Sequence, residues 1–351
     1  MKNRPRPLVP GIVVALLDLL MIGGALMIFA LYHHVLPQKL GGSRQSIVSF
    51  TDTPAPMETP APVQADADDP SASDDAAPAP VTPEPTATPT PAPGDFSASF
   101  PASDLPMDAL YSYADDGLRI VVTRYLETNR TYYLADVYVR NIQYFRTAFS
   151  GGDFSRGTYV DLPKLSGQLG AVLAVSGDFC SARSRGVVIR NGELYRESLS
   201  DEDVCVLYAD GVMETYYADE FDLEAAVARG AYQAWTFGPK LIDNGAVPGG
   251  FRCSDAVFAR NPRSAIGYYA PGHYCLVTVD GRQGAYSKGL DIRALSQLFL
   301  DLGCVDAFNL DGGQTAAMAW GDAFVNQPYK GGRSVGDVIY FTRSAQEGDA
   351  Q

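Results

Sequence analysis

Four apolar segments of this 351-residue chain end on groups that could bind an anionic ligand or act on it. Each segment is typical of a buried strand that stops at a carboxylate or an arginine. Glycines after a carboxylate let the backbone approach a ligand closely, and their N–H groups can bind an anion. Arginine adds a planar pair of donors suited to phosphate oxygens. The groups supplied in this way are Asp178, Arg263, Asp280 with Arg282, and Asp311 with Gly312 and Gly313.

The stretch AFNLDGGQTAAMAW, residues 307–320, is the most specific of these ends. An apolar run stops at Asn309 and Asp311, and two glycines follow before small residues resume. An Asp-Gly pair after a strand is in most proteins only a turn. Four such ends in one domain, with carboxylates, an arginine and a glycine pair, predict a shared site for an anion.

The histidines exclude several mechanisms. The chain has three, and His33 and His34 adjoin an apolar N-terminal run, which leaves His273 for the folded part. A histidine-rich two-metal centre is therefore not expected, and no Gly-x-Ser-x-Gly motif supports a serine nucleophile at His273. We expect His273 to be a surface residue or to be satisfied by a local partner. Catalysis would then depend on carboxylates, arginines and backbone amides.

The five cysteines do not form a zinc pattern. Buried free thiols are the expected state, because cysteine behaves as a small apolar residue in protein cores. A disulfide between Cys275 and Cys304, which both open predicted strands, is the alternative. The other cysteines are Cys180, Cys205 and Cys253.

The N-terminal region predicts a membrane anchor. An apolar run occupies 11–32 behind three basic residues, and as a helix it would be about 33 Å long, enough for a bilayer core. We expect a cytoplasmic tail over 1–10 and a transmembrane signal anchor over 11–36. The folded domain would then lie outside the cytoplasm of a bacterial cell, on a single-pass membrane protein.

Residues 37–117 are predicted to form a disordered linker. Twelve of the 24 prolines fall between 51 and 95, and residues 45–118 hold thirteen acidic residues and no lysine or arginine. Such a segment cannot bury enough apolar surface to offset the entropy of ordering it. The acidity of the chain, with a net charge of −14, also argues against nucleic-acid binding. A short tail is expected over 346–351.

Residues 118–345 have the texture of an α+β domain with a mostly antiparallel sheet core and a few flanking helices. Short alternating runs are separated by the hairpin signals Asn191–Gly192, Asp210–Gly211 and Asn244–Gly245. The clearest helix follows Asp291 as its cap and ends at Gly303. Shorter helices are predicted within 161–170 and 222–230.

The order of the motifs resembles the phosphodiester glycosidase family. The chain presents SGDFC, GVVIRNGELYR, FGPKLIDNG, NPRSAIGY, VDGR and FNLDGG in turn, and closes with FVNQPYKGGRSVGDVIYF. Each motif is weak alone, but their order is specific, and the resemblance covers about 119–343. It implies hydrolysis of a sugar that is joined through its anomeric carbon to a phosphodiester, in a glycan or an envelope polymer.

The resemblance suggests roles for the candidate residues. Arg263, with the amides of Gly312 and Gly313, would hold the phosphate. Asp178 or Asp311 would supply the carboxylate that attacks the anomeric carbon or activates water. The residues expected to contact the sugar or orient the substrate are Asp280, Arg282, Asn309, Gln314 and Thr315.

Departures from the family pattern leave two further hypotheses open. The family usually has asparagine at Ser176, an aromatic residue at Cys180, a third glycine at Gln314 and a hydroxyl residue at Ala317. A non-catalytic binding module for anionic envelope polysaccharide is the first alternative. No metal or other cofactor is predicted, and the second alternative is a calcium site built from Asp178, Asp280 and Asp311.

Overall fold

The structure is a computed structural model that describes residues 11–31, 38–39, 44–48, 94–101 and 104–343. The predicted tails at 1–10 and 346–351 lie outside the described residues. Strands predominate, and short 3-10 turns include Cys180–Ala182, Gly313–Thr315 and Tyr329–Gly331. The helices are α1 Gly11–Ala30, α2 Leu162–Gln168, α3 Leu223–Ala228, α4 Asp255–Phe258 and α5 Ile292–Asp301.

The strands form three large sheets and one pair. In chain order they are β1 Gln38–Lys39, β2 Gln45–Ser46, β3 Tyr111–Ala114, β4 Leu118–Glu127, β5 Arg130–Val139, β6 Arg146–Phe149, β7 Ser155–Arg156, β8 Ala171–Ser176, β9 Val188–Arg190, β10 Glu193–Arg196, β11 Val204–Tyr208, β12 Met213–Tyr216, β13 Ala231–Thr236, β14 Lys240–Ile242, β15 Arg263–Ala270, β16 His273–Val279, β17 Asp306–Asn309, β18 Met318–Trp320, β19 Ala323–Phe324 and β20 Asp337–Thr342. The sheet orders are β14-β17-β15-β16-β5-β4-β3, β12-β11-β13-β9-β10-β2 and β19-β18-β8-β20-β6, and β1 pairs with β7.

Every strand pair among the described residues that belongs to a named sheet is antiparallel, which confirms the predicted α+β class. Asn191 takes a φ of 52° in the β9–β10 turn, and Asp210–Gly211 joins β11 to β12. The third signal differs. Asn244–Gly245 closes only a bridge between Asp243 and Ala246, because β14 pairs with β17 instead.

The helix α5 forms where capping chemistry predicts it. The Asp291 carboxylate accepts a hydrogen bond from the Ala294 N–H at 2.9 Å, which satisfies one of the free donors of the first turn. Gly303 follows the helix with a φ of 78°, a left-handed conformation that glycine adopts without strain. The apolar face of α5, which includes Leu295 and Phe299, packs against the seven-stranded sheet.

The folded part begins before residue 118, which corrects the predicted end of the linker. Strand β3, Tyr111–Ala114, pairs with β4 along its whole length. Further upstream, Phe96 is buried against the turns at Gly211 and Gly272, where an added Cβ atom would fall 2.4 Å from Phe96 Cζ and 2.7 Å from Phe96 Cβ. Residues 49–93 of the predicted linker lie outside the described residues.

The helix α1 occupies most of the predicted anchor, and its large apolar side chains are exposed. Within the described ranges, however, no helix is both long and apolar enough to cross a membrane. The predicted transmembrane span of 11–36 is therefore not supported, and residues 32–36 lie outside the described residues.

The cysteines and the histidine of the folded part behave as expected. All five cysteines are free thiols, and the Sγ atoms of Cys275 and Cys304 lie 3.7 Å apart. The predicted alternative of a disulfide between them is therefore not the state seen. His273 Nε2 lies 2.7 Å from Asp136 Oδ1, and its ring stacks on Tyr138 and Tyr269. The imidazole is thus satisfied locally.

Candidate active site

The ends of strands β8, β15 and β17 meet where two sheets join. The Asp311 N–H, just beyond β17, donates to the Gly177 carbonyl just beyond β8 at 3.0 Å. Beneath this contact, the hydroxyls of Ser176 and Ser264 lie 2.9 Å apart. Two segments that are far apart in sequence therefore bring Asp178 and Asp311 into one region.

Two glycines are needed for this junction. A Cβ atom on Gly177 would lie 2.1 Å from Oδ2 of Asp337, and one on Gly312 would lie 2.7 Å from the Pro262 carbonyl oxygen. Real Cβ atoms do not approach other atoms so closely, so any side chain here would push the strand ends apart. The glycines of both motifs therefore serve close packing of the strand ends.

Asp311 is an accessible acid at this junction. Its side chain is 14% exposed. Burial raises the pKa of Asp311 to about 6, with the nearby Asp178 charge acting in the same direction, while the Thr315 hydrogen bond, Arg333 and Arg183 oppose the rise. Thr315 Oγ1 lies 2.6 Å from the Asp311 carboxylate. A carboxyl with this pKa can exchange protons near neutral pH.

A cavity lies at Arg333, the arginine that approaches Asp311. It has a volume of about 400 Å³ and is lined by Tyr159, Phe179, Arg333 and Ser334. Arg333 Nη2 lies 3.9 Å from Asp311 Oδ2, and its guanidinium group lies over the Phe179 ring at 5.5 Å. Phe179 has a φ of 66°, an unusual conformation for a bulky residue and one that recurs at functional sites.

A second cleft lies on the side of Arg183. It holds about 370 Å³ and is lined by residues 182–185 and 200–202. Arg183 Nη1 donates to the Thr236 carbonyl at 3.3 Å and lies 3.1 Å from Glu202 Oε1. The Arg183 charge also opposes the rise in the pKa of Asp311.

Asp178 is close to Asp311 but fully buried. Oδ1 accepts hydrogen bonds from the Cys180 N–H and from Arg190 Nη2, and Oδ2 accepts one from the Thr236 N–H. A carboxylate with these partners and 0% exposure cannot reach a substrate. The structure therefore places Asp178 in a buried network beside Asp311, and these contacts do not favour it as the attacking carboxylate of the sequence-based hypothesis.

Arg190 balances a buried acidic pair. Its Nη2 atom lies 2.9 Å from Asp178 Oδ1 and 3.0 Å from Asp337 Oδ2, and all three side chains are buried. The two carboxylates raise the pKa of Arg190, although its burial acts against this rise. Burial raises the pKa of Asp337 to about 7, with the Asp178 charge adding to the effect.

This acidic pair also bears on metal binding. Within the described residues, the group of potential metal ligands is Asp178, Cys180 and Asp337. The Arg190 guanidinium already contacts both carboxylates and lies 3.6 Å from the Cys180 sulfur, so it supplies the positive charge there. The predicted calcium alternative does not fit, because Asp280 is bound elsewhere and Asp178 is paired with Arg190.

The backbone of Arg263 lies beside the site, but its side chain is bonded elsewhere. Its Nε donates to the Leu290 carbonyl at 2.8 Å, and Nη2 donates to the carbonyls of Val257 and Ala259 at 2.7 and 2.5 Å. The side chain is 3% exposed, and burial lowers the pKa of Arg263 to about 10. These contacts do not support the predicted phosphate contact, because the guanidinium group fixes the loop before β15.

Asp280 and Asn309 are also buried within the protein. Asp280 accepts hydrogen bonds from Asn326 Nδ2 and the Tyr286 hydroxyl at 2.8 Å each, and from the Gln327 N–H. Asn309 Nδ2 donates to the Gly238 carbonyl at 2.7 Å, and its Oδ1 atom has no partner among the described residues. Both side chains support neighbouring loops, and neither is exposed to a substrate.

Arg282 and Gln314 remain at the edge of the glycine motif. Arg282 is exposed, and its Nη2 donates to Asn261 Oδ1 at 2.6 Å while Nη1 lies 3.5 Å from the position of a Cβ atom on Gly313. Gln314 Nε2 donates to the Gly332 carbonyl at 2.8 Å. The Gly313 N–H donates to the Pro262 carbonyl at 2.9 Å, so the predicted phosphate contact of this amide is not supported. Arg282 lies beside the glycine pair, and Gln314 links the motif to a second loop.

Several side chains around Asp178 and Asp311 were not predicted from the sequence. Arg190 lay in the quoted motif GVVIRNGELYR, and Arg333 and Asp337 lay in the closing motif, but no spacing rule singled them out. Phe179 and Arg183 follow Asp178 directly in the chain. An arginine within a run that reads as a buried strand, as Arg190 does, was the available signal, because buried arginine requires paired acids.

This fold and site define an α+β domain that presents an accessible carboxyl group among arginines, at the edge of a loop of paired glycines. Such an arrangement suits an anionic ligand. The sequence model of one family, described as phosphodiester glycosidase, matches residues 169–342. That part of the chain belongs to the phosphodiester glycosidase family.

The chain is also similar to two individual proteins. The SPbeta prophage-derived uncharacterized protein YomE of Bacillus subtilis (strain 168) is 28% identical over 206 residues, which are 57% of this chain and 32% of YomE. The chain thus spans about a third of the length of that relative.

The second comparison concerns the fold. The catalytic domain of zebrafish N-acetylglucosamine-1-phosphodiester alpha-N-acetylglucosaminidase, solved auto-inhibited by its pro-peptide, superposes with a TM-score of 0.51. The identity is 17%, and the match covers 65% of this chain and 83% of the zebrafish chain. At this identity the likeness establishes a shared fold.

Proposed function

We propose that this domain hydrolyses glycosyl phosphodiesters by cleaving the bond between the anomeric carbon of a sugar and its phosphate oxygen. The observation that carries the proposal is the position of Asp311, an accessible carboxyl with Arg333 at 3.9 Å and the Gly312–Gly313 loop beside it. Membership of the phosphodiester glycosidase family gives the substrate class.

The leaving group determines what the site must supply. When the C–O bond breaks, its electron pair goes to a phosphate monoester, which is a weak base and needs little help from an acid. Positive charge near that oxygen is of more use, because charge develops there in the transition state. Arg333 and Arg282 are the guanidinium groups placed for this task, and Arg263 is not.

The anomeric carbon develops positive charge as the bond breaks, and a nearby carboxylate stabilises it. Asp311 is the acid placed to do so, either by bonding to the carbon or by removing a proton from the attacking water. Thr315 holds one oxygen of this carboxylate at 2.6 Å, which orients it. The charge of the buried Asp178 raises the pKa of Asp311.

The pH dependence follows from the pKa of Asp311, which is about 6. Asp311 acts as a carboxylate in this proposal, so kcat/KM should fall as the pH drops below about 6 and reach a plateau above it. Initial rates would be measured from pH 4.5 to 8.5 at saturating and at subsaturating substrate concentrations, which gives kcat and kcat/KM at each pH. A rate that climbs as the pH falls through 6 would instead assign Asp311 the role of an acid.

A substrate panel tests the proposal itself. The full chain is incubated with glycosyl phosphodiesters that differ in sugar and in aglycone, and free reducing sugar is detected. Release of sugar and a phosphate monoester is the expected result. A protein that binds these compounds and returns them unchanged would be the non-catalytic binding module that the sequence left open.

We also propose that the chain is attached to the cell envelope through α1. The support is chemical, since Leu19, Leu20 and Met21 have exposed fractions of 73, 75 and 72% and such side chains need an apolar environment. The full chain should therefore sediment with membranes after cell lysis and resist extraction by high salt. Recovery of the intact chain in the soluble fraction would refute the attachment.

A further inference from the structure

The segment 327–335, here called the arginine loop, carries Arg333 and is fixed at both ends. At its start, the Gln327 N–H donates to Asp280 at 3.1 Å, and Gln283 Nε2 donates to the Gln327 carbonyl at 2.7 Å. At its end, Val335 and Val160 exchange backbone hydrogen bonds of 2.9 and 3.1 Å. The position of the middle must come from other contacts.

The middle of the arginine loop has an adaptable backbone. Lys330, Gly331 and Gly332 have successive φ angles of 52, 78 and 90°. Glycine adopts many backbone conformations at similar energy, so two neighbouring glycines do not fix a single one. The N–H groups of Gly331 and Gly332 donate to the Pro328 and Tyr329 carbonyls at 3.0 and 3.1 Å, which closes the turn. The next peptide group, between Gly332 and Arg333, needs a contact of its own.

Gln314 makes such a contact from the glycine motif. Its Nε2 atom donates to the Gly332 carbonyl at 2.8 Å. That carbonyl belongs to the peptide group that joins Gly332 to Arg333, so the hydrogen bond fixes the plane from which the Arg333 side chain departs. Arg333 itself is 51% exposed and reaches Asp311 Oδ2 at 3.9 Å. An exposed arginine on an adaptable backbone would otherwise sample many positions.

We propose that Gln314 is a positioning residue, which holds the Gly332 carbonyl and thereby keeps the Arg333 guanidinium group beside the Asp311 carboxylate. Its effect on turnover rests on the proposed function, but the contact itself is measurable without a substrate. The residue stands where the family pattern usually has a third glycine. In this chain a side-chain hydrogen bond to the Gly332 carbonyl therefore takes the place of a flexible glycine.

The test uses Gln314→Met, which keeps the length of the side chain and removes its donor. The pKa of Asp311 is measured by NMR on full-length protein labelled at the aspartate carboxyl carbons, with Asp311→Asn to assign the signal. The groups that act on this carboxyl are Thr315, Arg333, Arg183 and Asp178. Arg333 favours the ionised form, so its displacement should raise the pKa of Asp311, by about half a unit for an exposed pair.

Two further variants make the result specific. Gln283→Met removes an equivalent glutamine-to-carbonyl bond at the start of the arginine loop and should leave the pKa of Asp311 unchanged. Arg333→Met should raise it, and adding Gln314→Met to that variant should have no additional effect, because both changes remove one interaction.

Each outcome decides the inference. An unchanged pKa in Gln314→Met, or an equal rise in Gln283→Met, would overturn it. If substrates are turned over, the midpoint of the kcat/KM profile should move upward in Gln314→Met as well. If no substrate is turned over, the proposed function fails while the NMR result still decides the role of Gln314.

Discussion

Replacing Asp311 with asparagine should lower kcat by about 10²–10⁴-fold or more, because the carboxylate that stabilises the anomeric carbon is removed. Asparagine has the same shape and retains an oxygen that can accept the Thr315 hydrogen bond. The backbone contact from Asp311 to Gly177 does not involve the side chain. The domain should therefore keep its fold and its melting temperature to within a few degrees, which calorimetry would check alongside the kinetics.

The matched control is Asp306→Asn in strand β17. Asp306 is buried, accepts a hydrogen bond from Thr215 at 3.1 Å, and has a pKa that burial raises to about 7. It lies at the start of β17, whereas Asp311 follows the other end of this strand, so turnover should be unchanged in this variant. Sugar release at the normal rate by Asp311→Asn would remove Asp311 from the mechanism.

The variant Arg190→Met should lower the free energy of unfolding by about 3–5 kcal/mol, because it leaves two buried carboxylates without a positive charge beside them. Arg190 contacts both Asp178 and Asp337, and it also donates to the carbonyls of Ile189 and Ala234. Urea unfolding followed by circular dichroism would measure the loss. The loss should be smaller at pH 5 than at pH 8, since an unpaired carboxyl can be relieved by taking up a proton.

Two comparisons keep this prediction decisive. Arg185→Met removes an arginine that donates to the Leu199 carbonyl at the surface, and it should change stability by no more than about 0.5 kcal/mol. Adding Asp178→Asn and Asp337→Asn to Arg190→Met removes both uncompensated charges and should restore much of the stability, which covers the case in which the single variant does not fold. A stable Arg190→Met protein would show that the buried pair is neutralised in another way.

Local signals predicted the local parts of the fold. The turns at Asn191–Gly192 and Asp210–Gly211 need residues that tolerate positive φ, and those residue types are visible in the sequence. The capped helix α5 is a second example, since both of its ends are marked by single residues. In each case the interaction that fixes the structure lies within a few residues.

The partners of the strands could not be predicted in this way. Strand β8 pairs with β18 and β20, which lie more than a hundred residues further along the chain. The meeting of β8 and β17, which belong to different sheets, brings Asp178 and Asp311 together. Nothing in the spacing of these residues specifies that pairing.

Residue type alone did not predict where the arginine side chains would lie. Arg263 follows a proline and opens a strand, which made it a candidate, but the carbonyls of residues 257–259 and Leu290 attract its guanidinium group. Arg333 acquires its position from a loop that contacts the glycine motif. The direction of a long flexible side chain depends on such tertiary contacts.

The burial of Phe96 against the turns at Gly211 and Gly272 has a consequence for how the domain meets large substrates. Gly272 joins β15 to β16, whereas the cleft lies at the opposite end of β15, near Ser264, and an eight-residue strand is roughly 26 Å long. The Phe96 segment is therefore fixed at one end of β15 and the candidate site lies towards the other, whereas the earlier strands β1 and β2 pair with β7 and β10. A ligand can approach the candidate site without passing the Phe96 segment.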